Sequence, residues 1–189
     1  PRTFLSTLLL LLKETGARFG EALTIKWTDI DLERKVVRIK PEKNSNPRML
    51  PLSNQLINML NKIPRKSEIV FYKNPKTIRN SFNYVKNHTA EKLQNPRIKK
   101  ITFHTFRHWK GTMEYHKTRD IIHVKTILGH KSIQSTMFYI NIESSLFCNT
   151  QEEFITKTAK TVDEALKLIE VGFEYVTEME GLKLFRKRK

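Results

Sequence analysis

Five of the six histidines in this 189-residue chain fall between His104 and His130, interspersed with arginines and lysines. That concentration reads as a surface that handles phosphate. By residue type it offers a fixed cation in Arg107, joined from far upstream by Arg18. It also offers titratable imidazoles in His104 and His130, and a hydroxyl in Tyr139. Phosphodiester transfer without a metal requires this kind of inventory. The transition state gathers negative charge on the non-bridging oxygens, and planar guanidinium groups match that charge with paired hydrogen bonds. A nucleophile must attack in line, a base must take its proton, and an acid must protonate the leaving oxygen. Arg18, Arg107, His104, His130, a lysine and Tyr139 would fill those roles.

Other chemistries fit the residues less well. His104 and His108 stand one helical turn apart, but there is no His-Glu-x-x-His and no third ligand at a suitable spacing. Zinc is therefore not expected. No glycine-rich loop ending in Gly-Lys-Ser/Thr exists, so ATP use is not indicated. Asp and Glu are scattered rather than clustered as a two-metal nuclease needs. The expectation is an activity with no metal and no cofactor.

Order and spacing sharpen the reading. The run Thr15-Gly16-Ala17-Arg18-Phe19-Gly20-Glu21-Ala22-Leu23, followed by Trp27-Thr28-Asp29-Ile30, resembles the first arginine box of the tyrosine recombinases, the phage-type integrases. His104-Thr105-Phe106-Arg107-His108 is similar to the His-x-x-Arg box of that family. Leu128-Gly129-His130 through Tyr139 resembles its third box, where a tyrosine follows Gly-His by nine positions. Each box alone is a weak signal; together, in order and at the right spacing, they are a strong one.

The resemblance implies a set of roles. Arg18 and Arg107 would clamp the scissile phosphate. Tyr139 would attack it, making a 3′-phosphotyrosyl link and freeing a 5′-hydroxyl. His104 would assist the nucleophile as base or hydrogen-bond partner, and His130 would hold a non-bridging oxygen. Glu21 would buttress the first arginine. The family's general-acid lysine lies on a loop five residues before an arginine that leads into a strand. Counting back from Arg48 in Arg48-Met49-Leu50-Pro51-Leu52 selects Lys43, with Lys40 as the alternative. The partner implied is duplex DNA, with a homotetramer in the synaptic complex and a monomer in solution for a fragment. Cytoplasmic, nucleoid-associated action follows from the same resemblance. The block from Glu152 to Lys189 is similar to tails of archaeal integrase-like proteins.

These residues need elements to carry them. Thr3–Glu14, with its five consecutive leucines, predicts a buried helix; Phe4–Leu12 is far shorter than the roughly 20 apolar residues of a membrane span. Arg18–Lys26 fits a short second helix. Trp27–Ile30, Lys35–Lys40 and Arg48–Leu52 predict a small three-stranded antiparallel sheet. Ser53 would cap a helix over Asn54–Lys62. Ile69–Tyr72 reads as extended, and Thr77–Leu93 as helical. From Thr105 to Ser144 the pattern is helical, with a loop at Lys117–Arg119 and a break at Gly129-His130. A last helix begins near Thr161, and Phe173–Thr177 with Leu182–Phe185 predicts a β-hairpin before a basic tail.

The fold class expected is α+β and mostly helical: a tyrosine-recombinase catalytic domain over 1–147, extended by a helix and hairpin over 148–189. An N-terminal core-binding domain has no counterpart here, so the chain reads as a fragment. Composition agrees with a DNA partner. Lys and Arg number 35 against 19 Asp and Glu, a net charge of +16, with an isoelectric point near 10.0. Hydrophobic content of 39% and a mean hydropathy of −0.49 describe a globular domain. The lone cysteine, Cys148, leaves no intramolecular disulfide. Two further readings use the same residues. One is a non-catalytic DNA-binding module built on helix–turn–helix-like text from Ile121 to Tyr139. The other is relaxation of supercoils by a type IB topoisomerase.

Overall fold

Leu8, Leu11 and Leu12 have no solvent exposure, and with Phe4, Leu5 and Thr15 they form the inward stripe of α1 (Arg2–Thr15). The spacing is that of one helix face, so the leucine run builds a core. Each leucine so buried contributes about 1.5–3 kcal/mol. The computed structural model describes residues 2–42, 45–147, 154–179 and 181–188. They divide into two units, Pro1–Ser144 and Ser145–Lys189.

In the first unit α1 is followed by α2 (Phe19–Leu23) and a sheet of β1 (Ile30–Asp31), β2 (Val36–Ile39) and β3 (Arg48–Pro51). The strands are antiparallel in the order β1-β2-β3, with Val37 opposite Leu50 and Ile39 opposite Arg48. Alternation turns Val37, Ile39, Arg48 and Leu50 inward. The first strand is shorter than its sequence predicts. The Asp29 carboxylate accepts the Lys26 N–H at 3.0 Å and winds Trp27–Asp29 into a 3₁₀ turn, which leaves two residues to pair. Ile69–Tyr72 likewise contributes a single bridge, from Ile69 to Lys26, rather than a strand.

Helices α3 (Asn54–Asn61) and α4 (Pro75–Lys92) follow. The Ser53 side chain caps α3 by accepting the Leu56 N–H at 3.1 Å. Asn74 caps α4, whose first residue is proline, which lacks the N–H a first turn would leave unpaired. The remaining helices are α5 (Phe103–Thr118), α6 (Ile121–Leu128) and α7 (Gln134–Phe147). The loop expected at Lys117–Arg119 is tighter than that: α5 runs to Thr118, and Arg119 closes it with φ of 55°. Phe19, Phe103 and Phe82 stack in series, with centroids 4.2 and 4.4 Å apart, and tie α2, α5 and α4 together.

The second unit has its own small core of Ala159, Ala165, Phe173 and Phe185. Helix α8 (Val162–Glu170) is capped by Thr161 and Glu164 acting reciprocally. The predicted hairpin is present as β5 (Glu174–Met179) and β6 (Leu182–Arg188). A strand that the pattern did not reveal, β4 (Phe154–Ala159), pairs with the other side of β6. The sheet order is β4-β6-β5. Most of the residues read as a basic tail, Arg186 to Arg188, belong to β6.

Candidate active site

Arg107 is the centre of the site. It sits on the second turn of α5, is 1% exposed, and is held at two points. Its Nη1 donates to the Gly16 carbonyl at 2.7 Å, and its Nη2 to the Leu128 carbonyl at 2.7 Å. Those carbonyls close α1 and α6, so one guanidinium joins all three sequence boxes. A guanidinium has five N–H donors; two go to this clamp and another interaction is a side-chain hydrogen bond to Tyr139. Burial and the Arg18 charge bring the Arg107 pKa down to about 10, which leaves it cationic at neutral pH.

Arg18 stands at the start of α2. Its backbone N–H donates to Glu21 Oε2 at 2.8 Å and its Nη1 to Glu21 Oε1 at 3.3 Å. Glu21 has no exposure and accepts from a second arginine, with Arg48 Nη2 at 2.7 Å and Nη1 at 3.3 Å. Burial works against the Glu21 charge, but the Arg48 and Arg18 contacts prevail and hold its pKa at about 2. Two guanidiniums therefore share one carboxylate, and with Arg107, held on carbonyls, the cluster carries two positive charges beyond that of Glu21. An anion is the natural complement.

His130 follows Gly129, whose φ of 69° closes α6 in the left-handed region. A Cβ on Gly129 would lie 2.8 Å from both Arg48 Nη1 and the Asn46 carbonyl, so only glycine fits. The His130 ring is buried, with Nδ1 2.9 Å from the Thr136 hydroxyl. Burial and the charges of Arg107, Arg18 and Arg48 lower its pKa to about 4, so it is neutral near pH 7. Tyr139, 2% exposed, lies nearly parallel to that ring at 6.1 Å. Gly111 makes room for it: a Cβ there would stand 2.7 to 2.9 Å from the tyrosine ring. Burial raises the Tyr139 hydroxyl pKa, and the Arg107 and Arg18 charges oppose that rise.

His104, on the first turn of α5, is exposed and meets His108 edge-on at 4.4 Å. The His108 ring in turn lies 5.8 Å from that of Tyr139, so imidazoles lead from His104 to the hydroxyl-bearing ring. Burial, then His108, Arg107 and Arg18, lowers the His104 pKa. Lys43 lies outside the described residues. Lys40 ends the β2 side of the same loop and is ion-paired to the buried Asp29 at 2.9 Å. The far end of that loop is fastened to the third box. Ser45 Oγ and the Asn46 N–H both donate to the Gly129 carbonyl, at 3.1 and 2.9 Å.

Arg18, Glu21, Arg107, His130 and Tyr139 thus converge, with His104 at the edge. The residues that pattern reading did not assign are Arg48, Thr136 and His108. Arg48 had a legible signal: it occupies an inward position of a strand, two residues before Leu50, where an arginine needs a buried partner.

The fold is that of tyrosine recombinase catalytic domains. The crystal structure of the XerA recombinase superposes with a TM-score of 0.62 at 20% identity, over 80% of this chain and 59% of that one. The XerH site-specific recombinase bound to a palindromic difH substrate, in a post-cleavage complex, gives 0.61 at 23% identity, over 80% and 47%. Among sequences, a Sinorhizobium fredii protein named as an integrase/recombinase is 30% identical over 148 residues, 74% of this chain and 46% of that protein. The tyrosine recombinase XerA of Saccharolobus solfataricus is 27% identical over 144 residues, 75% of this chain and 47% of that protein. The chain belongs to the phage integrase family, whose profile matches residues 3–145. It spans about half the length of the curated relatives it matches. Among the described residues no helix is long and apolar enough to cross a membrane.

Proposed function

We propose that this chain is the catalytic part of a site-specific DNA recombinase that breaks and rejoins duplex DNA through a 3′-phosphotyrosyl intermediate. The observation that carries the proposal is the fixed Arg107 guanidinium, anchored on the Gly16 and Leu128 carbonyls, in one buried cluster with Tyr139 and His130. Arg107 and Arg18 take the non-bridging oxygens of the phosphate, whose charge balances theirs. Neutral His130 donates a further hydrogen bond, oriented through Thr136. Because burial raises the Tyr139 hydroxyl, the group is protonated at rest and needs a base, the role assigned to His104.

The Tyr139 oxygen then attacks phosphorus and passes its proton to His104. The P–O5′ bond breaks, and Lys43 gives the departing oxygen its proton. Attack by a 5′-hydroxyl from a second strand reverses these steps and frees the tyrosine. Exchange between two duplexes calls for a tetramer of copies on DNA, and the chain acts in the cytoplasm, at the nucleoid. Family membership favours this reading over a non-catalytic DNA-binding module and over supercoil relaxation.

A duplex nicked close to the cleavage site traps the covalent intermediate. The unaltered chain should form the adduct, in excess EDTA and without nucleotide. Tyr139→Phe should bind the duplex normally and form none. Adduct formation by the Phe variant would remove Tyr139 from the role; a strict magnesium requirement would remove the arginine clamp.

A further inference from the structure

Helix α7 carries the nucleophile, yet its inner face is not built like the inner face of a core helix. Its buried side chains are Thr136, Tyr139 and Glu143, on one face at i, i+3 and i+7, and of these only Tyr139 packs in an apolar cluster, with Val124 and Leu128. Met137, Phe138 and Leu146 are exposed. Besides that apolar contact, the helix is held on its unit by polar contacts on either side of Tyr139. Thr136 meets His130 before Tyr139 in the chain. Glu143, one turn after Tyr139, meets α5.

The Glu143 contact is the more heavily built. Glu143 is 3% exposed, and its carboxylate takes two partners. His116 Nδ1 lies 2.7 Å from Oε1, and Arg119 Nη1 lies 2.6 Å from Oε2. The carboxyl pKa is lowered, first by the hydrogen bond to His116; burial opposes this, and Arg119 lowers it further. Arg119 occupies the left-handed closing position of α5, with φ of 55°, where glycine is the ordinary choice. A non-glycine residue there costs on the order of 1 kcal/mol or more, and the guanidinium on Glu143 is what this arginine supplies in return.

We propose that Glu143 is a positioning residue for Tyr139: gripped by His116 and Arg119, it fixes the height and roll of α7 and so the aim of the tyrosine hydroxyl. Tyr139 lies between two anchors, Thr136 and Glu143, on a single helix face. Without the second anchor α7 pivots about the first. A roll of about 15° moves a tyrosine hydroxyl by roughly 2 Å, given the radius of an α-helix and the reach of the side chain. Displacements of that order cost about a hundredfold in rate for an in-line attack. The inference rests on the reading of Tyr139 as the nucleophile.

The test compares the full chain with Glu143→Gln, and with Arg119→Ala, which alters a half-exposed residue and opens no core cavity. Single-turnover attachment to the nicked duplex should slow by up to about a hundredfold in each variant, with duplex affinity within about twofold. Arg119→Lys should recover most of the rate, and the double variant should be no slower than Glu143→Gln alone, because both act through one contact. Hydrogen exchange should rise across 134–147 and stay unchanged in α1. Attachment at the unaltered rate, or exchange raised uniformly through the unit, would overturn the proposal. If the unaltered chain forms no adduct, the recombinase reading fails, and exchange in α7 still decides whether Glu143 holds the helix.

Discussion

Burial among three guanidinium groups holds the His130 imidazole at about 4, against an ordinary value of 6.5. The unfolded chain accepts a proton near pH 6.5 that the folded chain refuses until about pH 4. Stability therefore rises with pH across that window and is lost on acidification through it. The gap corresponds to about 2–3 kcal/mol between pH 7 and 4.5. Glu21, at about 2, contributes its own loss only as the pH falls below 4.5. Urea unfolding at pH 7 and 4.5 should accordingly show a smaller difference for His130→Asn than for the unaltered chain. The slope that persists belongs to His104 and His108, whose values are also lowered by burial. Equal differences in both proteins would mean that His130 is not held neutral. At this scale the residues that converge around Arg107 were legible from the order and spacing of their boxes. Thr136 and Glu143 were not, since nothing in a linear pattern announces that a threonine or a glutamate will face inward. Lys43 rests on counting alone.

Among the elements, the leucine run of α1, the capped helix α3 and the strands β2 and β3 follow from periodicity and turn residues. The pattern failed where packing is not hydrophobic. Strand β4 buries little beyond Ala159, and its Thr156-Lys157-Thr158 centre reads as loop. Strand β1 was misjudged because one side-chain contact, Asp29 to the Lys26 N–H, wound its start into a turn. Helix α7 is periodic, but with polar residues inward. Its approach to α5 depends on Gly111, which leaves no side chain under the Tyr139 ring. Gly111→Ala should push α7 outward, lower stability by about 1–3 kcal/mol, and slow covalent attachment beyond what the loss of folded protein explains. Thermal unfolding and single-turnover kinetics on the same preparation separate the two effects. An unchanged attachment rate would mean that the ring shifts without consequence.

For the molecule as a whole, the charge is not evenly shared. The unit Pro1–Ser144 contains 27 Lys and Arg against 11 Asp and Glu, so it carries the entire net charge of +16. The unit Ser145–Lys189 contains eight of each and is neutral. Polyanion binding that depends on counterion release should therefore come from the first unit. Arg97→Ala with Lys100→Ala, both exposed just ahead of α5, should weaken duplex binding. The slope of log K against log salt should fall by up to about 1.8. Lys160→Ala with Lys167→Ala, in the neutral unit, should leave it unchanged. Titration of a labelled duplex at several salt concentrations checks both, and a slope that falls only for the second pair would reassign the DNA surface.

The two carbonyls that hold Arg107 come from Gly16 and Leu128, more than a hundred residues apart in sequence. The Leu128 grip needs only the turn from α5 to α6, but the Gly16 grip closes over a separation of 91 residues. A half-folded copy already carries the full positive charge of the unit, but its arginine lacks one of its two holds. The aim of the guanidinium is thus a property of the closed unit, whereas the charge is a property of the sequence.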